Sequence, residues 1–297
     1  KNKNFITVED GFIRSAGLGG DLIPPLSLLF DKRGIHYDGS KPSDLEILLQ
    51  KEIISQEELF RAKELIKILC AKKISKYNLN HEKWSIKKEI SNYKKKILVL
   101  GQVESDNSVI FGIPSNYIEK SNFSLVKEVR KDYPSSYIIY KPHPDLEKGL
   151  RSSGHKENLI IGIADEIANE VSIHELFYQV DIVAVLTSLG GFEALIRRKK
   201  VITYGFPFYA GWGLTEDKLI NHNWAQRRTR KLKLEELVYI ALIMYPYYFS
   251  LKYYGFTEVE NIIEEIETYK NKNLNLEQLI FRYWGIFKDQ LKKNEYN

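Results

Sequence analysis

Polar side chains that can act on an anionic substrate follow four short apolar runs of this sequence. A carboxylate can serve as a nucleophile or general base, an imidazole can exchange a proton, and a glycine-rich helix start can bind phosphate. The runs cover residues 97–100, 137–140, 181–186 and 201–204. The candidate site residues after them are, in the same order, Gln102, Glu104 and Asp106; Lys141, His143 and Pro144; Thr187, Ser188, Gly190, Gly191 and Glu193; and Tyr209 and Trp212.

Strands and helices alternate over the central part of the chain. The four runs, and another at 159–161, are typical of buried parallel strands, and helical patterns at 122–132, 173–178 and 190–198 lie between them. The alternation predicts an α/β fold with a doubly wound, Rossmann-like domain over residues 94–230. Ligands bind at the carboxyl ends of strands in such sheets, so we expect the polar residues to converge on one site.

Two regions flank this domain. We expect an N-terminal acceptor-side domain over residues 1–93, incomplete or reduced in size, which starts with a buried strand at 5–9. Residues 231–297 are predicted to form helices that pack back toward it. Within the first region, helices are predicted to begin after Ser43 and to cover 56–73 and 82–95.

Further charged residues lie near both ends of the predicted core. Glu9, Asp10 and Arg14 follow the first strand, where they can contact substrate or form a local Asp–Arg pair in a turn. Arg227 and Arg228 follow a Trp-rich turn. Two guanidinium groups can hold a carboxylate or phosphate bidentately, or can simply be a solvated loop pair.

Three of the candidate residues also have an ordinary structural explanation. Asp106 and Ser188 are residue types that cap helices, and His143 can cap the helix that follows it. The prolines on both sides of His143 fix its backbone, however, which suits an imidazole that grips an anionic oxygen. The sequence leaves both interpretations open for each residue.

Composition limits the classes of function. The 297 residues are 43% hydrophobic with a net charge of +5, which suits anionic substrates but is too diffuse to indicate nucleic-acid binding. One cysteine excludes an intrachain disulfide, the histidines lack metal-ligand spacing, and no phosphate-binding Walker or Gly-x-Gly-x-x-Gly motif occurs. With no signal peptide and no 18-residue apolar run, we expect a cytoplasmic chain that does not span a membrane.

Several ordered motifs together resemble the bacterial capsule β-Kdo transferases of the KpsC type. The resemblance covers nearly the whole chain, and its strength lies in the number and order of the motifs. They are Glu9-Asp10-Gly11-Phe12-Ile13-Arg14-Ser15, Pro24-Pro25-Leu26-Ser27, Arg33-Gly34-Ile35-His36-Tyr37-Asp38, Gly101-Gln102-Val103-Glu104-Ser105-Asp106, Lys141-Pro142-His143-Pro144, Gly191-Phe192-Glu193-Ala194-Leu195, Pro207-Phe208-Tyr209-Ala210-Gly211-Trp212-Gly213 and Arg227-Arg228.

The resemblance implies a type B glycosyltransferase fold, with two Rossmann-like domains across a cleft and an N-terminal domain that is truncated or reduced here. It implies transfer of Kdo (3-deoxy-manno-octulosonic acid) from CMP-β-Kdo to a Kdo-terminated, lipid-linked acceptor in capsule linker synthesis. The β configuration is retained by double displacement, with no cofactor or metal. A lipid-linked acceptor also implies peripheral contact with the inner membrane.

Residue roles follow from the same resemblance. Asp106 matches the nucleophile, and either Glu9 or Asp10 matches the acid/base. The CMP phosphate is assigned to His143, Pro144, Lys141, Thr187, Ser188, Gly190, Gly191 and Glu193. Other contacts to substrate are expected from Gln102, Glu104, Arg14, Tyr209, Trp212, Arg227 and Arg228.

Two alternatives remain open from the sequence. The first is a transferase of the same fold that uses another nucleotide sugar, such as CMP-sialic acid or a UDP-sugar. The second is a non-catalytic module that binds sugar nucleotides, although the combination of Asp106, His143 and the N-terminal acids favours an enzyme.

Overall fold

Six parallel strands form the larger of two sheets in the computed structural model, which describes residues 5–17, 23–76, 78, 85, 86, 93, 95–152 and 154–272. The strands are β3 (Lys96–Leu100), β4 (Tyr137–Lys141), β5 (Glu166–Ile167), β6 (Ile182–Val185), β7 (Lys200–Thr203) and β8 (Glu216–Asp217). Their order across the sheet is β5-β4-β3-β6-β7-β8. The order reverses between β3 and β6, which is where open parallel sheets bind ligands. The predicted α/β class and the doubly wound sheet are confirmed.

The parallel sheet is buried on both faces. Leu98 and Leu100 of β3 face one hydrophobic core, and Ile97 and Val99 face another. Because side chains alternate along a strand, both faces must be apolar when both are covered. This is why β3 reads as a continuous apolar run.

Short helices connect the parallel strands and cover the sheet. They are α3 (Asn107–Phe111), α4 (Asn122–Asp132), α5 (Pro144–Glu147), α6 (Ile173–Gln179) and α7 (Leu189–Ile196). In the part of the chain that the structure describes, four further α-helices lie outside the sheet connections. They are α1 (Asp44–Lys51), α2 (Gln56–Ala71), α8 (Leu234–Tyr239), which continues into a π-helical turn over Ile240–Met244, and α9 (Val259–Lys272). Ser43 caps α1 as predicted, its hydroxyl accepting from the Glu46 N–H. Among the described residues, no helix is both long and apolar enough to cross a membrane.

The smaller sheet joins the two ends of the described chain. Its antiparallel strands are β1 (Thr7–Asp10), β2 (Ser27–Asp31), β9 (Tyr247–Ser250) and β10 (Gly255–Thr257), in the order β1-β2-β9-β10. Leu29 of β2 belongs to the same hydrophobic core as Leu98, Phe192 and Phe208 of the parallel-sheet region. The N-terminal segment therefore packs directly over one face of that region.

A buried ion pair ties helix α1 to the chain that follows β7. The Glu46 carboxylate contacts the guanidinium groups of Arg227 at 2.8 Å and Arg228 at 3.0 Å. Arg228 also donates to the carbonyl oxygens of Pro207 and Ala210, each at 2.7 Å. These bonds fix the loop 206–213 against the N-terminal segment.

Three predicted elements differ from the structure. Residues 159–161 lie in a 3-10 helix, Glu157–Gly162, and not in a strand, because only Ile160 of the run is buried while Leu159 and Ile161 face solvent. The first strand, β1, is exposed to half-buried and lies at a sheet edge, where one side lacks a partner strand.

The region after residue 231 is not entirely helical. Its aromatic interruption forms β9 because Tyr248 packs into the core while Tyr247 faces outward, the alternation of a half-buried strand. The predicted helix at 82–95 falls almost wholly outside the described residues.

The Glu46 pair yields a stability prediction. The Arg228 side chain is 3% exposed and that of Arg227 is 27% exposed. Arg228→Met leaves the buried Glu46 with only the more exposed Arg227 and removes the donor of the Pro207 and Ala210 carbonyls, so we expect it to lower the free energy of unfolding by about 3–5 kcal/mol. The matched variant Arg227→Met removes a more exposed partner and should lower it by about 1 kcal/mol. Urea denaturation measures both, and equal losses would contradict the ranking.

Candidate active site

A cavity of about 440 Å³ lies over the carboxyl ends of the central parallel strands. Its floor is formed by loops after β3, β4, β6 and β7, and its other wall by the end of β1 and by residues near positions 36 and 76. The predicted site residues that line it are Glu9, Asp10, Gln102, Asp106, Lys141, His143, Pro144, Thr187, Ser188, Gly190 and Glu193. The strand-end residues that the sequence predicted to converge thus lie on one cavity.

Three of the carboxylates that line the cavity, those of Glu9, Asp10 and Asp106, come from two distant parts of the chain. Burial raises the pKa of Glu9, and the nearby carboxylates of Asp10 and Asp106 raise it further, against the effect of a backbone hydrogen bond and of Lys76. Asp10 forms an ion pair with Arg14. Glu9 therefore has the environment of a proton acceptor, whereas Asp10 is held by a permanent cation.

Asp106 caps the short helix α3. One of its carboxylate oxygens accepts from the Ser108 N–H at 2.8 Å, while the side chain as a whole is exposed to the cavity. Capping fixes the carboxylate in one orientation, which is useful to a nucleophile as well as to a helix. The structural and functional interpretations of this residue are compatible.

His143 caps α5 in the same way. Its Nδ1 accepts from the Asp145 N–H at 3.1 Å, so a neutral ring carries its proton on Nε2. Burial lowers the pKa of His143 to about 4, although the Asp145 carboxylate opposes the shift. The imidazole is thus neutral near pH 7 and acts as an N–H donor without a charge.

Thr187 and Ser188 lie where β6 leads into α7. Ser188 caps this helix, accepting from the Gly190 N–H at 3.2 Å. The Thr187 N–H donates to the Gln102 side-chain oxygen at 2.9 Å, across the point where the strand order reverses. Gln102 and Thr187 therefore hold the two central loops together and present the start of α7 to the cavity.

Two buried charged residues at the cavity wall already have partners. Lys141 pairs with Glu147 at 2.5 Å, and burial lowers the pKa of this lysine. Glu193 accepts from the Lys76 N–H at 2.8 Å, and burial raises the pKa of its carboxyl. Both residues hold loops in position. Lys141 was predicted to support the phosphate site, and its ammonium is bound to Glu147.

Several predicted substrate contacts lie away from the cavity. Arg227 and Arg228 bind Glu46, so the expected anion clamp is a structural pair. Arg14 forms an ion pair with Asp10, which is the local Asp–Arg pair that the sequence offered as the structural explanation. Glu104 accepts from the Asn122 N–H and the His155 N–H, and these bonds fix the loop after β3.

The aromatic loop 206–213 also has a packing role. Trp212 is fully buried and its Nε1–H donates to the Phe208 carbonyl at 2.8 Å, and Tyr209 is fully buried with its hydroxyl donating to the Ser188 carbonyl. A Cβ on Gly191 would lie 2.2 Å from the Tyr209 hydroxyl oxygen, so Gly191 permits close packing and does not face a phosphate. The prediction that these residues contact substrate is therefore wrong. They support the start of α7 instead.

Residues that the sequence did not single out also line the cavity. They include His36, Tyr37, Lys76, Arg151 and His174. His36 and Tyr37 lie within a motif that carries the family resemblance, but their residue types and spacing alone indicate no particular chemistry. Lys76 lies between α2 and a lysine-rich stretch, so nothing in the sequence distinguishes it from the surface lysines around it. Among the described residues, no group of three or more His, Cys, Asp or Glu is arranged to hold a metal ion.

The strand order and the cavity define the class of this protein as a Rossmann-type α/β protein with a cavity at the topological switch point. The sequence profile of a family described as "Capsule polysaccharide biosynthesis protein" matches residues 1–248. The chain belongs to this family of capsule polysaccharide biosynthesis proteins.

Characterised proteins are similar over most of the chain. The capsule polysaccharide modification protein LipA of Neisseria meningitidis serogroup A is 41% identical over 270 residues, which is 91% of this chain and 37% of LipA. The lipopolysaccharide-processing protein LpsZ of Rhizobium meliloti is 38% identical over 89% of this chain and 59% of LpsZ. The chain thus spans between about a third and three fifths of the length of these curated relatives.

Two solved structures share the fold. The β-Kdo 2,7 transferase of Thermosulfurimonas dismutans KpsC is 40% identical, with a TM-score of 0.74 over 91% of this chain and 80% of that one. The β-Kdo 2,4 transferase of the same KpsC is 30% identical, with a TM-score of 0.75 over 89% of this chain and 79% of that one. The fold is therefore consistent with a type B glycosyltransferase.

The capping bond of His143 yields a spectroscopic prediction. We expect long-range ¹H–¹⁵N NMR spectra to show a neutral Nε2–H imidazole at pH 7 that titrates with a midpoint of about 4. Its shifts should therefore stay constant as the pH falls from 7 to 5, where a histidine of ordinary pKa 6.5 becomes protonated. His143→Gln identifies the signal, and an imidazolium or an Nδ1–H form at pH 7 would contradict the arrangement.

Proposed function

We propose that this chain is a retaining β-Kdo transferase that moves Kdo from CMP-β-Kdo to a Kdo-terminated, lipid-linked acceptor in capsule linker synthesis. The observation that carries the proposal is the shared cavity, which brings Glu9 and Asp106 together with His143 and Ser188. The similarity to two β-Kdo transferases of known structure supports the same donor sugar.

Retention of configuration at the anomeric carbon requires two displacements. In the first, a carboxylate oxygen of Asp106 forms a bond to C2 of Kdo while the bond from C2 to the phosphate oxygen breaks, and the electron pair leaves with CMP. The α3 cap leaves one carboxylate oxygen of Asp106 bound to Ser108 and the other to attack.

The leaving cytidylate needs donors that offset its growing negative charge. The His143 Nε2–H, the Ser188 hydroxyl and the start of α7 are suited to this role because they line one cavity, at the ends of β4 and β6 on the two sides of β3. Thr187 and Lys141 act indirectly, because they hold the loops that carry these donors in position. Because CMP has a single phosphate, we propose that no metal or other cofactor is needed.

In the second displacement the acceptor hydroxyl attacks C2, the bond to Asp106 breaks, and the hydroxyl proton passes to a general base. We assign this base to Glu9 and not to Asp10, because the carboxylate of Asp10 is held by Arg14. The raised pKa of Glu9 increases its affinity for the proton.

The acceptor is proposed to be attached to lipid, so the reaction would take place at the cytoplasmic face of the inner membrane. Peripheral contact with that membrane is sufficient for such a reaction, since only the terminal sugar must reach the cavity.

The Asp106 variants separate catalysis from capping. Asparagine caps a helix as well as aspartate does, so Asp106→Asn should preserve stability and CMP affinity while lowering transfer by at least about 1,000-fold. Asp106→Ala should lose transfer equally and also lose about 1 kcal/mol of stability through the missing cap. Radiolabelled Kdo transfer, CMP calorimetry and thermal denaturation measure the three properties. Normal turnover of Asp106→Asn would remove this residue from the nucleophile role.

Product analysis tests the function itself. With CMP-Kdo and a short Kdo acceptor, we expect a new β-2,7 linkage, because identity is higher to the 2,7 transferase than to the 2,4 transferase. NMR of the product identifies the linkage, and Asp106→Asn serves as the inactive control. Thermal stabilisation by UDP but not by CMP, together with no transfer of Kdo, would overturn the donor assignment.

A further inference from the structure

Arg151 lines the cavity from a turn whose backbone is fixed. Helix α5 ends in a Schellman motif, in which the Gly149 N–H donates to the Leu146 carbonyl at 3.1 Å. The second bond of the motif runs from the Leu150 N–H to the Asp145 carbonyl at 2.9 Å. Gly149 has a φ of +67°, the left-handed conformation that this motif requires and that glycine adopts without strain. The motif reverses the chain at the end of α5 and returns it to the cavity at Arg151.

The segment after Arg151 is bound to the loop that follows β3. The Glu104 carboxylate of that loop accepts from the His155 N–H at 2.6 Å. Arg151 therefore belongs to a segment that joins the end of α5 to the loop that carries Asp106, the proposed nucleophile. Both ends of this segment are held by hydrogen bonds, so the arginine side chain starts from a defined position.

Asp145 connects Arg151 to His143. The Asp145 N–H donates to the His143 Nδ1 at 3.1 Å, and the Asp145 carbonyl accepts from the Arg151 N–H at 3.2 Å. His143 and Arg151 thus stand at the two ends of one short helix and share a hydrogen-bond partner. Because both residues line the cavity, the neutral imidazole and the guanidinium are presented to the same space by one structural unit.

The positive charge of Arg151 is available to a ligand. Two lysines line the cavity as well, but the Lys141 ammonium is bound to Glu147, and Lys76 belongs to the N-terminal wall and not to the unit that carries His143. The Arg151 residue is exposed, and within the described ranges no carboxylate forms an ion pair with it. A guanidinium in this situation can turn toward an anion without breaking an existing pair.

The proposed first displacement creates a need for a full positive charge. In CMP-Kdo the phosphate is a diester with one negative charge. When the bond from C2 to the phosphate oxygen breaks, the electron pair stays on that oxygen and the phosphate of CMP carries two negative charges. His143 and Ser188 supply neutral donors, whereas a guanidinium supplies a unit charge and two parallel N–H groups that match two phosphate oxygens.

We propose that the Arg151 guanidinium binds the phosphate of the CMP donor together with the His143 Nε2–H and stabilises the second negative charge as CMP leaves. This inference rests on the proposed function, because it assumes a CMP-activated donor. It adds a cationic ligand that an empty cavity keeps solvated, so its charge costs little before the donor binds.

Variants of Arg151 test the assignment by comparing CMP with cytidine, which lacks the phosphate. A charge-assisted contact changes affinity about 10- to 100-fold, so Arg151→Met should raise the Kd for CMP by that factor in calorimetry. The Kd for cytidine should stay within about two-fold of wild type. Arg151→Lys should recover part of the loss, because an ammonium keeps the charge but not the paired N–H groups.

Lys148→Met is the matched control. Lys148 is an exposed cation of the same turn and does not line the cavity, so its loss should change neither Kd by more than about two-fold. Because Arg151 and Lys148 are both exposed, both variants should fold with nearly wild-type stability. Thermal denaturation checks this.

The transfer reaction tests the effect on the leaving group. At saturating CMP-Kdo, the single-turnover rate of Arg151→Met should fall at least about 10-fold, because the charge on the phosphate grows as the bond breaks. An unchanged rate would contradict the stabilisation of the leaving group.

The outcomes separate the inference from the proposed function. An unchanged Kd for CMP in Arg151→Met overturns the inference, and a raised KM for CMP-Kdo in that case assigns the guanidinium to the sugar carboxylate. An equal loss of cytidine affinity also overturns it, because the variant then distorts the site. If the wild-type chain binds CMP but transfers no Kdo, the proposed transfer is wrong while the phosphate contact stands. If it binds no CMP, both are wrong.

Discussion

The Glu46 carboxylate binds two arginines from a distant part of the sequence, and the geometry of the cavity depends on that contact. Helix α1 carries Glu46, and the Arg228 guanidinium reaches it while also binding the carbonyls of the loop 206–213. That loop in turn positions Tyr209 against Ser188. The buried pair therefore connects the N-terminal wall of the cavity to the start of α7. Because a buried charge without its partner is strongly unfavourable, the two walls are held at one separation.

The same physics explains how a cavity that is lined by five carboxylate residues can receive an anionic donor. The strand ends of the parallel sheet offer N–H and O–H donors in place of free cations: His143 is neutral because it is buried, and Lys141 is neutralised by Glu147. Neutral donors leave no unpaired charge buried when the cavity is empty.

The sequence predicted the parallel sheet and the strand-end residues well because both follow local rules. A continuous apolar run such as 97–100 marks a buried strand, and the residue after it must lie at the carboxyl edge. Contacts between distant segments were not accessible in this way. Arg227 and Arg228 looked like an anion clamp because nothing near them in the sequence identifies Glu46 as their partner. Likewise the run 159–161 is apolar but mostly exposed, and periodicity alone does not report burial.

Capping and catalysis are not competing explanations for the central residues of this site. Asp106, His143 and Ser188 each cap the helix that follows its strand, and each accepts from the backbone N–H two residues later. The shared geometry uses one polar atom of each side chain to fix its direction. In His143 it also selects the tautomer that can donate. Under the proposed mechanism, the remaining atoms of these three side chains meet the donor from adjacent loops with little rotamer freedom to lose, because the helix starts have already oriented them.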